Sequence, residues 1–397
     1  MKSIELFTGA GGLALGISKA GFSHKAVIEW DRYACETIME NQARGTRFVK
    51  DWPLLPMDVR HMDYDNIQER VDLVAGGPPC QPFSLGGKHR GQDDNRNMFP
   101  EAVRAVRELR PKAFIFENVK GLTREAFSTY FNYIYLSLCY PEIRCGNSEP
   151  WQDHLSRLEE HHTSGKQAGL FYRVITRVRN AADYGVPQRR ERVFFVGFRC
   201  DISEEWSFPE ETHSEDALLH DQWVTGEYWD RHAVSRRKRT EMPACCAKRV
   251  KGLRFSGSQR KKPWVTVRDA ICDLPDPAET DRCAIPNHRL VPGARIYPGH
   301  TGSALDQPAK TLKAGDHGVP GGENVVVFPD GSLRYFTIRE AARLQTFPDD
   351  YLFHGSWTES MRQIGNAVPV ELAFPIASSV LACIRRANDG RKDQRGK

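Results

Sequence analysis

Cys80 is the side chain in this sequence best suited to covalent chemistry, because it follows two prolines. Pro78 and Pro79 restrict the backbone and hold the next residue in a fixed direction. A cysteine displayed near helix termini favours the thiolate, the reactive form. Gln81-Pro82-Phe83-Ser84 comes next, then a glycine-rich basic stretch with Lys88, His89 and Arg90. Beside a nucleophile, such a stretch suits closure over a phosphate backbone. Glu117 ends an apolar run and can act as an acid beside the thiol. A second constellation opens the chain. Ser3 to Phe7 reads as a short strand, followed by Gly9, Gly11 and Gly12, where the backbone can approach a ligand closely. Glu29 closes the next strand, where an acid can accept hydrogen bonds from ribose hydroxyls, and Trp30 can cover a purine. Together they point to an adenosine-containing cofactor.

These residues require a scaffold that brings strand ends together. Apolar runs at 3–7, 26–29, 71–75, 113–116 and 192–198 read as strands, and 13–20 and 104–109 as helices. That alternation predicts an α/β fold, a doubly wound and mostly parallel sheet that binds ligands at the carboxyl ends of its strands. Phe7, Glu29, Cys80 and Glu117 are each expected just beyond a strand. From about Cys200 to Arg334 the periodicity dissolves into Pro, Gly, Trp and charge, which predicts a second, smaller, irregular β-rich domain. Regular structure returns as helices at 337–345 and 370–385, with a frayed polar tail from Asn388. The expected organisation is a catalytic and cofactor-binding domain at 1–199, a recognition domain at 200–334, and a segment at 335–397 that completes the first domain.

Bulk properties narrow the classes. Hydrophobic residues make up 40% of the chain and charged residues 27%, the balance of a globular protein. No apolar run approaches the roughly 20 residues of a membrane span, and the N-terminus lacks a signal-peptide core, so a cytoplasmic location is expected. The ten cysteines contain no Cys-x-x-Cys pair and read as reduced thiols. Cys245, Cys246, Cys272, Cys283 and His288 fit no common zinc spacing, and no metal is expected. The net charge of +5 proves no polyanionic partner, but its distribution is informative. Residues 201–230 carry acids and no Lys or Arg, whereas 231–262 carry Arg236, Arg237, Lys238, Arg239 and seven further Lys or Arg beyond Arg231, with Glu241 as the single acid. The block is either a phosphate-binding surface or a solvated loop.

The motifs, in order, resemble those of the DNA cytosine-5 methyltransferases of bacterial restriction-modification type, over almost the full length. Phe7-Thr8-Gly9-Ala10-Gly11-Gly12 is similar to the first cofactor motif, Glu29-Trp30-Asp31 to the ribose motif and Asp58-Val59 to the adenine-contacting one. Pro78 to Ser84 is similar to the nucleophile motif and Glu117-Asn118-Val119 to the acid motif. Asp183 to Arg192 resembles the motif whose Gln and arginines support the site. Arg339-Glu340 with Leu344 to Pro348, and Gln363 to Pro369, resemble the last two motifs. Ala309-Lys310-Thr311-Leu312 resembles a short element of the recognition region.

The resemblance implies a sheet of the S-adenosylmethionine-dependent methyltransferase type and S-adenosylmethionine as cofactor. It assigns Cys80, Glu117, Asn118, Arg190 and Arg192 to catalysis. Phe7, Thr8, Gly9, Gly11, Gly12, Glu29, Trp30, Asp58, Val59, Pro79, Met98, Asn366 and Ala367 go to the cofactor. Gln81, Ser84, Lys88, Arg90, Gln188, Arg236, Arg237, Lys238, Arg239 and Thr311 go to DNA. Cys80 is expected to attack carbon 6 of a flipped cytosine, Glu117 to serve ring nitrogen 3, Asn118 to orient the Pro79-Cys80 segment and Arg192 to contact the base oxygen. The stretch from Ser84 to Met98 is the expected lid. The implied partner is duplex DNA with a short palindromic site, read by a monomer in the bacterial cytoplasm or nucleoid, with a restriction endonuclease as functional partner. Residues from about Phe127 to Gly169 exceed compact members and read as decoration. A tRNA cytosine methyltransferase of the same architecture, a non-catalytic DNA-binding regulator and a small-molecule methyltransferase are the competing readings.

Overall fold

A computed structural model describes residues 1–67, 69–79, 97–165, 169–255, 261–282, 285–296, 301–314 and 322–395. Two compact units emerge: Met1–Arg179 with Glu191–Pro209 and Ala373–Lys397, and Asn180–Arg190 with Glu210–Leu372. These divisions differ from those expected from composition. In particular, the segment after residue 335 is shared, its first part lying in the second unit and only Ala373 onward in the first.

The first unit is built on seven strands: β1 (Lys2–Leu6), β2 (Ser23–Glu29), β3 (Leu54–Pro56), β4 (Leu73–Gly76), β5 (Ala113–Val119), β6 (Tyr172–Asn180) and β7 (Glu191–Arg199). Their order across the sheet is β3-β2-β1-β4-β5-β7-β6. The pairs β3–β2, β2–β1, β1–β4 and β4–β5 are parallel, and β5–β7 is antiparallel. Helices α1 (Gly12–Ala20), α2 (Arg32–Ala43), α3 (Phe99–Leu109), α4 (Ser128–Cys139) and α5 (Trp151–Thr163) accompany these strands. The parallel strands are buried on both faces: Ile4, Leu6, Val74, Phe114 and Phe116 share one core, while Ser3 and Glu5 of β1 are buried on the other face.

Several features escaped the sequence patterns, strands β3 and β6 among them. β5 runs on through Glu117 and Asn118 instead of stopping before them, because antiparallel β7 pairs with it to the end, Val119 facing Arg192. Helix α2 has weak apolar periodicity, yet Asp31 caps it by accepting from the Ala34 N–H. The segment read as decoration forms α4 and α5. Tyr133, Ile134, Leu136, Leu155 and Leu158 lie in the main core, so both helices contribute a buried face.

The second unit begins its own strands at β8 (His213–Ser214) and β9 (Lys262–Pro263), a parallel pair. β10 (Ser303–Ala304), β11 (Val325–Val327) and β12 (Leu333–Tyr335) form a three-stranded sheet. Short helices α6 (Glu215–His220), α7 (Glu227–Arg231), α8 (Ala247–Leu253), α9 (Val267–Ile271), α10 (Ile338–Leu344) and α11 (Trp357–Asn366) take up more of the unit than its two- and three-residue strands. A small aromatic core of Tyr228, Trp229 and Trp264 with Ala182 and Leu218 anchors the irregular part. Helix α12 (Val370–Arg395) continues well into the tail expected to fray. The stretch Trp357–Gly390 is apolar enough to cross a membrane by composition, but 67% of its most apolar window is buried within the protein, as in a core helix.

Candidate active site

The glycine turn follows directly from β1. Phe7 adopts φ +54°, a left-handed conformation uncommon outside glycine, and Gly9 follows at +55°. The strained turn aims the Gly9 N–H at the Glu29 carboxylate, 2.6 Å away, and Thr8 ties back to the Ile28 carbonyl. Glu29, at the end of β2, is buried and also accepts from the Trp30 and Asp31 N–H groups. Burial raises its carboxyl above the ordinary value, while the three backbone donors oppose the rise. One oxygen thus carries two donors and the other a single one, which leaves room for one further donor. Trp30 beside it is 69% exposed, an unusual position for an indole. A buried acceptor, a bare aromatic face and a close-approach turn fit an adenosine. Asp58 caps the turn at Val59–His61 and pairs with Arg60, and Val59 is buried. The same turn is held from α3, where Arg104 donates to the carbonyls of Val59 at 2.8 Å and Met62 at 3.0 Å. Sequence reading missed Arg104, since nothing in its local pattern marks a long-range contact.

The acid motif occupies the carboxyl half of β5. Val119 lies opposite Arg192 on β7, so Glu117, two residues earlier on the same face, is its diagonal neighbour. The result is a buried ion pair, Arg192 Nε to Glu117 Oε1, at 2.8 Å. Burial pushes the Arg192 guanidinium below its ordinary value and Glu117 opposes the shift. Asn118 faces the other way and donates from Nδ2 to the Pro78 carbonyl at 2.9 Å. Pro78 is buried and Pro79 exposed. The Pro79 carbonyl accepts from the Met98 N–H at 3.2 Å, so the two flanks of the intervening segment meet. Cys80, Gln81, Ser84, Lys88 and Arg90 lie outside the described residues, as does the expected lid apart from Asn97 and Met98.

The remaining motif residues lie in the second unit and are more buried than expected. Gln188, assigned to DNA from sequence, is fully buried. Its amide nitrogen donates to the Leu344 carbonyl and to Gln345, and its oxygen accepts from the Leu312 N–H. In this arrangement the side chain is a brace within the unit. Arg190, two residues from Arg192 but in the other unit, is also buried and donates to the carbonyls of Leu312 and Gly365. Gly365 has no space for a side chain, because a Cβ would sit 2.5 Å from the Ala314 nitrogen. Gln345 completes the hub by donating to Ile364 and Ala367. Asn366 at the end of α11 is exposed, and Ala367 is buried. The Thr311 hydroxyl donates to the Arg189 carbonyl, within a bridge that pairs Gln188 with Ala309.

The basic block is partly neutralised by the acidic run before it. Arg239 pairs with Asp230, Arg249 with Glu215 and Asp216, and Lys261 with Glu211. Arg236, Arg237 and Lys238 form one exposed turn with no ion pair among the described residues. His288 is buried between Thr337 and the Pro275 carbonyl, a structural role.

Comparison with known proteins identifies the chain. The model of the C-5 cytosine-specific DNA methylases matches residues 1–139 and 152–382, and the protein belongs to that family. Relatives include the Type II methyltransferase M.PspPI of Psychrobacter sp. (strain TA137), 31% identical over 98% of this chain and 80% of its own. The Type II methyltransferase M.NgoMIV of Neisseria gonorrhoeae is 29% identical over 97% of this chain and 99% of its own. A crystal structure of a DNMT2 mutant from Spodoptera frugiperda shares the fold, with a TM-score of 0.57 over 96% of this chain and 99% of that one, at 16% identity. Family and fold together imply S-adenosylmethionine as the methyl donor.

Proposed function

We propose that this protein methylates carbon 5 of a cytosine within a short, palindromic duplex site, as the modification member of a restriction-modification system in a bacterial cytoplasm. The observation that carries the reading is the β5 strand, which holds Glu117 against Arg192 and Asn118 against the carbonyl of Pro78, two positions before Cys80 in the sequence. Two successive side chains on opposite faces of one strand thus serve the base and the nucleophile segment.

S-adenosylmethionine, when bound, supplies an electrophilic methyl on sulfonium sulfur. Glu29 would accept from a ribose hydroxyl, Trp30 would cover the purine, and Phe7 to Gly12 with Asp58, Val59, Pro79 and Met98 would line the rest, joined by Asn366 and Ala367. The target base leaves the duplex, at about a few kcal/mol of unstacking. Cys80 thiolate forms a bond to carbon 6, and the carbon 5–carbon 6 π pair becomes nucleophilic density at carbon 5. Glu117 holds a proton at ring nitrogen 3 and Arg192 contacts the base oxygen. Once carbon 5 is substituted, its hydrogen leaves as a proton and the pair returns to expel Cys80. Arg190 and Gln188 act as positioning residues for the chain that leads into β7 and Arg192. Arg236, Arg237, Lys238 and Arg239 contact phosphates, assisted by Lys88 and Arg90, while Gln81, Ser84 and Thr311 approach the target strand.

Transfer of labelled methyl to plasmid DNA followed by bisulfite sequencing tests the proposal. Modified cytosines within one short motif are expected. Transfer to tRNA instead of DNA would overturn it.

A further inference from the structure

The carboxyl ends of the strands take up the chemistry, but the opposite edge of the first unit carries a charged cavity that methyl transfer does not use. It measures about 310 Å³ and is lined by Arg107, Glu108 and Arg110 at the end of α3, and by Glu142 and Arg144 after α4. Arg110 lies just before β5, so roughly 13 Å of strand, from Ala113 to Glu117, separates this edge from the candidate site. The family match covers residues 1–139 and 152–382, so Glu142 and Arg144 fall between its two matched ranges.

The charges around the cavity do not balance. Arg110 pairs with Glu142 at 2.8 Å, and that carboxylate also accepts from the Leu170 N–H. Glu108 is shared between Arg104 at 3.2 Å and Arg107 at 3.5 Å. The Arg144 guanidinium has no ion pair among the described residues. The Arg107 Nε is buried and has no hydrogen-bond partner among the described residues. Burial, and then the charge of Arg144, push the Arg107 guanidinium below its ordinary value. Arg107 has the longer contact to Glu108 with its Nε unmet among the described residues, and the exposed Arg144 stands beside it without an ion pair, so the hollow is bordered by three guanidiniums and two carboxylates. Planar guanidinium forks match tetrahedral oxyanions by paired hydrogen bonds.

We propose that this cavity binds the phosphate group of a small phosphorylated molecule, with Arg107 and Arg144 as the ligand-contacting residues. A free ligand is favoured over a DNA backbone phosphate because the cavity lies on the edge of the sheet away from the flipped base. The proposal does not depend on the reading of the methylation site.

Calorimetric titration of the full chain with pyrophosphate, in 0.15 M chloride without DNA, tests it. Arg144→Ala is expected to weaken binding roughly tenfold, the loss of one charged hydrogen-bond set. The Arg236→Ala, Arg237→Ala and Lys238→Ala triple variant should bind pyrophosphate like the parent, and Arg144→Ala should keep its methyl-transfer rate. Absence of pyrophosphate binding, or unchanged binding in Arg144→Ala, would overturn the site. Unchanged pyrophosphate binding together with weaker duplex binding in Arg144→Ala would also overturn it, in favour of nucleic acid. Arg107→Lys, which keeps the charge and loses the fork, should weaken binding if the fork is what recognises the anion.

Discussion

The arginines of the two units are used in contrasting ways. Arg192 in the first unit is buried against Glu117, fixed by the register of two strands. Arg236 and Arg237 in the second unit stand on an exposed turn with no ion pair among the described residues. A buried pair holds geometry, because moving either partner leaves an uncompensated charge in a poor solvent. Exposed cations hold no geometry but are ready to neutralise phosphates and release counterions. Under the proposed function, reaction would sit on rigid strands and recognition on irregular chain, where a changed sequence does not disturb the chemistry. Gln188 and Arg190 show that rigidity is not confined to the sheet, since the second unit buries its own polar hub.

The largest expected effect concerns the proposed nucleophile. Cys80→Ala should lower methyl transfer by about 10⁴-fold or more while leaving duplex binding intact. Full transfer in that variant, measured with labelled methyl, breaks the division between reaction and recognition. Glu117→Gln comes next, with an expected loss of about 10²–10⁴-fold in rate. It also leaves Arg192 buried without its carboxylate, so urea unfolding should show a loss of about 3 kcal/mol. A stability loss with an unchanged rate would reduce Glu117 to a structural role.

The exposed turn sharpens the comparison from the other side. Replacing Arg236, Arg237 and Lys238 together with Ala should reduce the slope of log affinity against log salt by about 3, roughly 0.9 for each phosphate contact. Arg239→Ala should change the slope less, because Asp230 already neutralises that charge. An equal slope in the triple variant and the parent would remove this turn from the DNA surface.

The smallest effect tests rigidity behind the glycine turn. His24 is buried, with Nε2 donating to the Ala14 carbonyl and Nδ1 accepting from the Ser3 hydroxyl. Burial lowers its pKa to about 4. The unfolded chain therefore binds the proton more readily, and the His24 contribution is complete above pH 6.5 and is lost as pH falls toward 4. Stability should drop by about 1 kcal/mol more between pH 7 and 5.5 in the parent than in His24→Gln, as read by urea unfolding at each pH.

Much of this protein is legible in order alone. Short-range patterns located five of the seven strands of the first unit, the glycine turn and the residues at their ends, because strands buried on both faces are mostly apolar and a close-approach turn needs glycine. Other features need partners far along the chain. Glu117 and Asn118 are drawn into β5 only by β7, more than seventy residues later. Gln188 reads as a surface contact until Leu344 and Leu312 enclose it. The acidic run and the basic block look like separate patches in sequence, and folding pairs several of their charges. The types and order of the site residues, with the elements that carry them, were set by local chemistry. Which of them are buried, paired or left open was decided by the tertiary structure, because burial and charge pairing depend on distances in space that sequence separation does not encode.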